Sequence, residues 1–199
     1  MGRLEETREA ILDSAAAVLA ANPRASLSDI ATAASIGRAT LHRHFSSRND
    51  LVITLARASI QAIDAACAHI DYHGQSAADS LRETIEAIVP LGARYSFLAY
   101  QGEVLEDEQV RAELTRQVES VRALVEALKL EGGVGLDVPT AWVVATIDAL
   151  IYAGWLEVHR KSIAARDVAG LVLRTITAGL GPRHPRSVRP DRVPAPTRC

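Results

Sequence analysis

Residues 26–51 read S-L-S-D-I-A-T-A-A-S-I-G-R-A-T-L-H-R-H-F-S-S-R-N-D-L, and this stretch decides the fold. Two serines in it, at 26 and 47, are each followed three residues later by an aspartate. This is the capping-box pattern, in which the two side chains satisfy free backbone amides where a helix begins. The small-residue run at 34–37 predicts a tight turn between the two boxes. The stretch therefore predicts two short helices, a turn and the start of a longer helix, as in a helix-turn-helix.

The third helix of the chain, predicted from the turn to His44, has an apolar and a polar side. At 100° per residue, Leu41 and Phe45 lie on one side, and Thr40 and Arg43 face away from them. An arginine suits guanine, whereas a threonine offers a methyl group and a hydroxyl to thymine or phosphate. The helix starts on either side of this face offer serines and free amides to phosphates. The predicted DNA contacts are Ser26, Arg38, Ala39, Thr40, His42, Arg43, His44, Ser47 and Arg48.

The remainder of the 199 residues also reads as helices, with no run of alternating polar and apolar residues that would indicate a strand. The fold class expected is all-α with about nine helices. We predict a DNA-binding domain at 1–46 and an effector-binding and dimerisation domain at 47–180, with helix 47–70 as connector. Residues 181–199 are predicted to be a Pro/Arg-rich disordered tail. Outside the first segment the helices are predicted at about Leu4–Ala21, Ser47–Ile70, Ser76–Val89, Pro90–Tyr100, Glu106–Glu131, Pro139–Arg160 and Ala164–Leu180.

The net charge of −2 is an average over a basic tail and an acidic remainder. A locally basic face suffices for DNA, because salt confines an exposed charge's field to roughly 8 Å. The first residues lack the apolar core of a signal peptide, and no apolar run approaches the ~18 residues that span a bilayer. Two cysteines make no disulfide framework, and Cys67 is expected to be a buried structural thiol. We therefore expect a cytoplasmic protein without a membrane partner.

The helix-turn-helix segment resembles the DNA-binding domain of the TetR/AcrR family of bacterial transcriptional regulators. The resemblance covers about residues 4–55 by motif and the remainder only by the number and length of helices. It implies an all-helical homodimer that binds a palindromic operator and is commonly a repressor released by a small molecule. The residues that carry it are Ser26, Ile30-Ala31, Ala34, Ile36, Arg38-Ala39-Thr40-Leu41, Arg43-His44-Phe45, Arg48 and Leu51.

Three positions depart from the family pattern. Members usually have glycine where this chain has Ser35, and serine or threonine where it has Gly37. Glycine is the weaker residue to cap the third helix. The position of His42 is most often a tyrosine that reaches a phosphate, a contact that a histidine makes more strongly when protonated. We expect DNA binding with its own sequence preference and some pH sensitivity.

The resemblance implies that the last two helices form the dimer, and both carry broad apolar faces that would pair as a four-helix bundle. The alternative is that these faces form the core of one subunit. The residues predicted for the dimer interface are Ile147, Ile151, Trp155, Val168, Leu171, Val172, Thr175 and Ile176.

A pocket for the effector is expected between helix four and the middle helices. Asp148, inside an apolar run, needs a partner if it is buried, either a cationic or hydroxylated ligand or an arginine such as Arg94. For the aromatic residues, ordinary core packing is the alternative to ligand contact. The candidate ligand residues are Arg94, Tyr95, Phe97, Tyr100, Trp142, Asp148 and Tyr152.

Two other classes of protein remain as alternatives. His69 and His73 are four residues apart, a spacing that can place two imidazoles on one metal in a small metal-binding protein or enzyme. No third ligand follows at a diagnostic spacing, and there is no glycine-rich phosphate loop, so no metal or cofactor and no enzymatic activity are expected. A helical interaction module without a DNA role would use Thr40, Arg43 and His44 merely as surface.

Overall fold

The computed structural model describes residues 3–100, 104 and 106–181, with side chains for all of these except 3–5, 99 and 100. Within this part of the chain there are nine α-helices and one 3-10 turn, Val89–Leu91. The all-α prediction is confirmed. The helices are α1 Arg3–Ala21, α2 Leu27–Ala33, α3 Arg38–His44, α4 Arg48–Cys67, α5 Ala77–Ile88, α6 Gly92–Tyr100, α7 Glu108–Leu130, α8 Thr140–His159 and α9 Ala165–Leu180.

The helices pack around two apolar cores. The first joins α1, α2, α3 and the start of α4, and it also takes in Phe97 of α6 together with Val104 and Val110. The second joins α5, α7, α8 and α9. The first core therefore continues past residue 46, the predicted end of the DNA-binding domain, into the middle of the chain. The tail predicted to be disordered, residues 182–199, lies outside the described residues.

The two predicted capping boxes form to different extents. At the start of α2, Ser26 Oγ accepts from the Asp29 amide, and the Asp29 carboxylate accepts from the Ser26 amide at 2.8 Å. At the start of α4, Ser47 Oγ accepts from the Asp50 amide at 3.1 Å. The Asp50 carboxylate, however, accepts from the amide and hydroxyl of Ser46 instead of from Ser47. The second box is therefore incomplete, because its aspartate binds the residue before the capping serine and not the serine itself.

The turn between α2 and α3 contains a serine in the left-handed region, Ser35 at φ 55°. Gly37, which caps α3, has an ordinary extended backbone at φ −71°. The exchange of residues relative to the family pattern has therefore placed a side chain where glycine is favoured, and glycine where none is needed. A left-handed conformation costs a residue with a Cβ about 1–2 kcal/mol.

Helix α4 ends at Cys67, earlier than the predicted Ile70. His69 and His73 follow in the exposed turn before α5, so their spacing of four residues is not a helical one. Asp71 caps that turn by accepting from the amides of His73 and Gly74 at 3.2 and 2.9 Å. Among the described residues, no group of three or more His, Cys, Asp or Glu side chains is placed to hold a metal ion.

Replacing Ser35 by glycine should stabilise the protein, because glycine adopts the left-handed conformation without a Cβ clash. We expect a gain of about 0.5–1 kcal/mol in the free energy of unfolding and a rise in Tm of about 1–4 °C. Thermal unfolding at one fixed protein concentration measures it. Ser35→Ala is the matched control and should give no gain, since it keeps the Cβ. A gain in the alanine variant equal to that in the glycine variant would contradict the strain argument.

Candidate DNA-reading face and ligand cavity

The outer side of α3 presents the predicted reading residues to solvent. Ala39, His42 and Arg43 are exposed and Thr40 is half-buried, whereas Leu41 on the inner side is only 1% exposed. The pattern predicted from the helical period is therefore present in the fold. A short helix anchored by its apolar side and polar on the other can enter a DNA groove.

Beside this face, a cleft of about 360 Å³ separates α2 from α3. Arg38 crosses it, and its guanidinium donates to Ser28 Oγ at 3.1 and 2.6 Å from Nε and Nη2. The Ser26 hydroxyl already donates to the Asp29 carboxylate at 2.7 Å. The bonds from the backbone and then the hydroxyl of Ser26 lower the pKa of Asp29. A DNA contact by Ser26 or Arg38 would therefore require these bonds to be shared or exchanged.

Two other predicted DNA residues are directed partly into the protein. Arg48 donates to the carbonyl oxygens of Ala25 and Pro23 at 3.1 and 2.6 Å, and so fastens the α1–α2 loop to α4. His44 is half-buried beside Phe45, and its Nε2 has no hydrogen-bond partner among the described residues. Ser47 is exposed and uses its oxygen to cap α4.

A cavity of about 920 Å³ lies between α4 and the middle helices, where the sequence predicts an effector pocket. Its wall is mostly apolar, and its polar side chains come from five helices and from the turn between α4 and α5. Of the predicted ligand residues, Tyr95 and Asp148 line it. The polar or ionisable side chains on its wall are Asp64, Cys67, Tyr72, His73, Thr84, Tyr95, Arg116, Gln117, Ser120 and Asp148.

Asp148 is the carboxylate that burial affects most in this cavity. Burial raises its pKa, and the hydrogen bond from Tyr95 partly opposes the rise. The Tyr95 hydroxyl donates to Asp148 Oδ1 at 2.5 Å. Arg94 was the alternative partner expected for Asp148, and this expectation is wrong. Its guanidinium points to α1, where it pairs with Glu9 and Asp13. No cation of the described chain forms a salt bridge with Asp148, so the wall holds an acid balanced only by a phenol.

Three other predicted ligand residues lie outside the cavity wall. Phe97 is fully buried in the first core, and Trp142 is 61% exposed on the outside of α8. Tyr152 packs on the ring of Trp155, with 5.9 Å between centroids, and is not part of the cavity wall. The side chain of Tyr100 lies outside the described residues.

Several wall residues were not predicted. Asp64 accepts from Gln117 at 2.8 Å and pairs with Arg116, which joins α4 to α7 at the cavity. Cys67 is half-buried on the same wall, where burial raises the pKa of its thiol. These residues are far apart in sequence, and their common location arises only from the packing of the helices.

Most of the residues predicted for a dimer interface point into the subunit's own core, which agrees with the alternative given for these faces. Five of them, Ile147, Ile151, Val168, Val172 and Ile176, are at most 3% exposed and belong to the second core. Trp155 is half-buried against Gly92. Only Leu171 and Thr175 are exposed, and they share a surface that we name the outer α8–α9 face: Trp142, Ala145, Ala149, Ala153, Leu171, Thr175 and Ala178.

Helix α8 itself is long and apolar enough to cross a bilayer by length and composition alone. It packs against α7 and α9 in the second core, and much of its remaining apolar surface belongs to the outer α8–α9 face. Helix α8 is therefore apolar on two sides: one side is buried in the core, and the other is exposed in the single chain.

Comparisons with known proteins agree with this architecture. The family of bacterial regulatory proteins called tetR matches residues 11–55. The HTH-type transcriptional repressor LfrR of Mycolicibacterium smegmatis is 32% identical over 179 residues, which cover 90% of this chain and 93% of that protein.

Solved structures give the same result. The crystal structure of LfrR from Mycobacterium smegmatis in complex with proflavine is 30% identical, with a TM-score of 0.70, over 90% of this chain and 98% of that one. The ketosteroid regulator KstR2 of Mycobacterium tuberculosis, 21% identical with a TM-score of 0.62 over 88% of this chain and 95% of that one, shows the same fold. The chain therefore belongs to the tetR family and is a helix-turn-helix transcriptional repressor, not an enzyme.

Proposed function

We propose that this repressor acts in the cytoplasm as a homodimer that reads a palindromic operator with α3 and releases it when a small cation fills the cavity. The observation that carries the proposal is the position of α4. It begins at Arg48 beside the reading helix and ends at Cys67 on the cavity wall. A ligand that shifts α4 would change the separation of the two reading helices, which must stay near one DNA turn of ~34–36 Å.

The DNA part rests on the exposed outer side of α3. Arg43 lies on it without a salt bridge among the described residues, so its guanidinium is available for a base edge. Thr40 and Ala39 offer methyl groups near it, and His42 lies beside the α2–α3 cleft. We assign base reading to Arg43 and Thr40 and phosphate contact to His42.

Replacing Arg43 by alanine should weaken operator binding by about 5–150-fold, the loss of one bidentate base contact of about 1–3 kcal/mol. A gel shift or fluorescence anisotropy with the DNA upstream of the protein's own gene measures it at one fixed salt concentration. Arg166→Ala is the matched control, since Arg166 is 87% exposed at the start of α9. Equal affinity of the Arg43 variant and the control variant would contradict the assignment.

The dimer part rests on the outer α8–α9 face. Its side chains are apolar or small, which lets two helices approach closely. In the single chain, this face exposes a large part of the apolar helix α8. Apolar patches of this kind mark interaction surfaces in soluble proteins. A second copy across a two-fold axis would cover it as a four-helix bundle. We assign the interface to this face in place of the core residues.

Introducing a charge at the centre of this face should dissociate the dimer. Ala149→Glu places an unpaired carboxylate in the proposed interface, a penalty that commonly amounts to several kcal/mol. Sedimentation or light scattering should show a dimer for the unchanged protein and a monomer for the variant. Ala112→Glu, at an exposed alanine on α7, is the matched control and should stay dimeric. A dimer that survives Ala149→Glu would place the interface elsewhere.

The ligand part rests on the shape and charge of the cavity. Its volume of about 920 Å³ lies within the range of small-molecule pockets, ~300–1,000 Å³. Its wall is apolar apart from a few groups, among which Asp148 lacks a cationic partner in the described chain. Such a wall favours a flat apolar molecule with one positive charge. Proflavine, a planar aromatic cation, is bound in the structure of the LfrR relative.

Replacing Asp148 by asparagine should weaken proflavine binding and stabilise the free protein near pH 7. Because the pKa of Asp148 is raised in the folded state, its ionised form costs stability at neutral pH. That cost falls as the pH drops through the folded pKa, so the stability difference from asparagine should shrink on acidification. Ligand titration by fluorescence near pH 7, and thermal unfolding from pH 8 down to about pH 4, close to the ordinary pKa of an aspartate, measure the two effects.

The matched control for this substitution is Asp137→Asn, in the exposed loop before α8. It should change neither proflavine affinity nor the pH dependence of Tm. If Asp148→Asn bound proflavine as tightly as the control, the carboxylate would not be the site of the cation.

A further inference from the structure

We infer that Arg94 is a positioning residue that couples the ligand cavity to the reading helix through α1, a path separate from α4. The inference rests on the proposed release by a ligand. Four contacts along the path support it: Tyr95 with Asp148, Arg94 with Glu9 and Asp13, and Arg8 with Phe45.

The path begins at α6, a helix of nine residues that belongs to both halves of the protein. Tyr95 lies on the cavity wall and donates to Asp148. Phe97, two residues later, is fully buried in the first core. A ligand cation that takes Asp148 away from Tyr95 therefore acts on a short rigid helix whose other side is part of the core under the DNA-reading helix.

The start of α6 is held against α8 by close packing. A Cβ added at Gly92 would lie 1.7 Å from a ring carbon of Trp155, so the indole rests directly on the helix backbone. With this end fixed, a displacement of Tyr95 can be accommodated only by a shift of the residues around it. Arg94 is the adjacent residue, and its side chain is only 12% exposed.

Arg94 binds two acids of α1 through one edge of its guanidinium group, Nε and Nη2. Nη2 lies 2.9 Å from Glu9 Oε2 and 2.8 Å from Asp13 Oδ1, and Nε donates to the same oxygen of Asp13 at 3.2 Å. The acids are one helical turn apart, so the pair fixes both the position and the rotation of α1. Hydrogen bonds to a largely buried guanidinium are geometrically demanding, since its fork is planar and rigid.

The last step runs from α1 to the reading helix. Arg8, the neighbour of Glu9, places its guanidinium 5.3 Å from the centre of the Phe45 ring. Phe45 ends α3 and is 1% exposed in the first core. A shift of α1 at Glu9 therefore reaches the C-terminal end of α3 through one side-chain contact, without passing along α4.

Helix α4 is connected to the cavity by other groups. Arg57 pairs with Asp107, and Asp64 pairs with Arg116, both between α4 and the start or middle of α7. Arg94 takes part in neither pair. Removing its charge can therefore disable the α1 path while leaving the contacts of α4 with the cavity in place.

The test compares Arg94→Gln with the unchanged protein and with the control Arg160→Gln, whose partner Glu157 is on the same helix. Operator affinity is measured with and without saturating proflavine, using DNA upstream of the protein's own gene. In the unchanged protein and the control, proflavine should weaken operator binding by about 5–150-fold, the usual size of allosteric coupling. In Arg94→Gln both molecules should still bind, but the weakening should be clearly smaller than in the control, because only the path through α4 remains. A weakening equal to that of the control would overturn the inference.

A charge swap covers the case in which Arg94→Gln fails to fold. Arg94→Glu alone should repel Glu9 and Asp13 and uncouple the sites, whereas Arg94→Glu with Asp13→Arg should restore part of the coupling. Equal ratios of operator affinity, with and without proflavine, in the single and double variants would overturn the inference.

A second measurement needs no ligand and separates the inference from the proposed function. Tyr95→Phe removes the bond to Asp148, and amide hydrogen exchange in residues 10–19 of α1 reports the effect. The exchange should change on Tyr95→Phe in the unchanged background and stay constant in the Arg94→Gln background. Equal responses in the two backgrounds would overturn the Arg94 path. If proflavine fails to release DNA from the unchanged protein, the proposed ligand class is wrong, and this exchange measurement alone decides the role of Arg94.

Discussion

The burial of Leu41 and Phe45 in the core that they share with α1, α2 and α4 is the interaction on which the rest of the molecule depends. A seven-residue helix such as α3 is not stable in water by itself. The two side chains are each 1% exposed, and burial of such groups contributes about 1.5–3 kcal/mol apiece. This anchoring allows the opposite side of α3 to carry exposed, mostly polar side chains. It also makes the orientation of the reading face depend on where α1 and α4 lie, and both of these helices contact the part of the chain that surrounds the cavity.

The cavity itself shows a balance between stability and function. An apolar wall that holds an acid with only a phenol beside it is less favourable than a filled core, because burial disfavours the charged form of Asp148. A protein selected only for stability would have an amide or an apolar residue there. A cation of the proposed kind would offset this cost, since attraction in a water-poor site exceeds that in solvent. In the proposed function, binding affinity and the instability of the empty site thus arise from the same group.

The helices and the reading face could be predicted from the sequence, because their signals are local. Caps, breakers and the 3.6-residue period gave α3 its two sides, and Leu41 and Arg43 lie as expected. The face that we propose for the dimer could not be predicted in the same way. Helix α8 is apolar nearly all round, so its period does not distinguish the side with Ile147, in the subunit's own core, from the side with Ala149. The partner of Asp148 was also beyond reach, because Arg94 and Asp148 are on packed helices whose relative rotation only the tertiary structure determines.

The limits of the first core explain why a signal can reach α3 at all. A motif boundary near residue 46 suggests a reading domain joined to a sensing domain by a single helix. In the packing, Phe97, Val104 and Val110 belong to the same apolar core as Leu41 and Phe45, so the two parts share packed side chains as well as α4. Closely packed protein cores do not deform gradually but change from one discrete packing to another. A displacement of α6 by the proposed ligand would therefore alter the packing that fixes α3, in addition to acting through α4 and through Arg94.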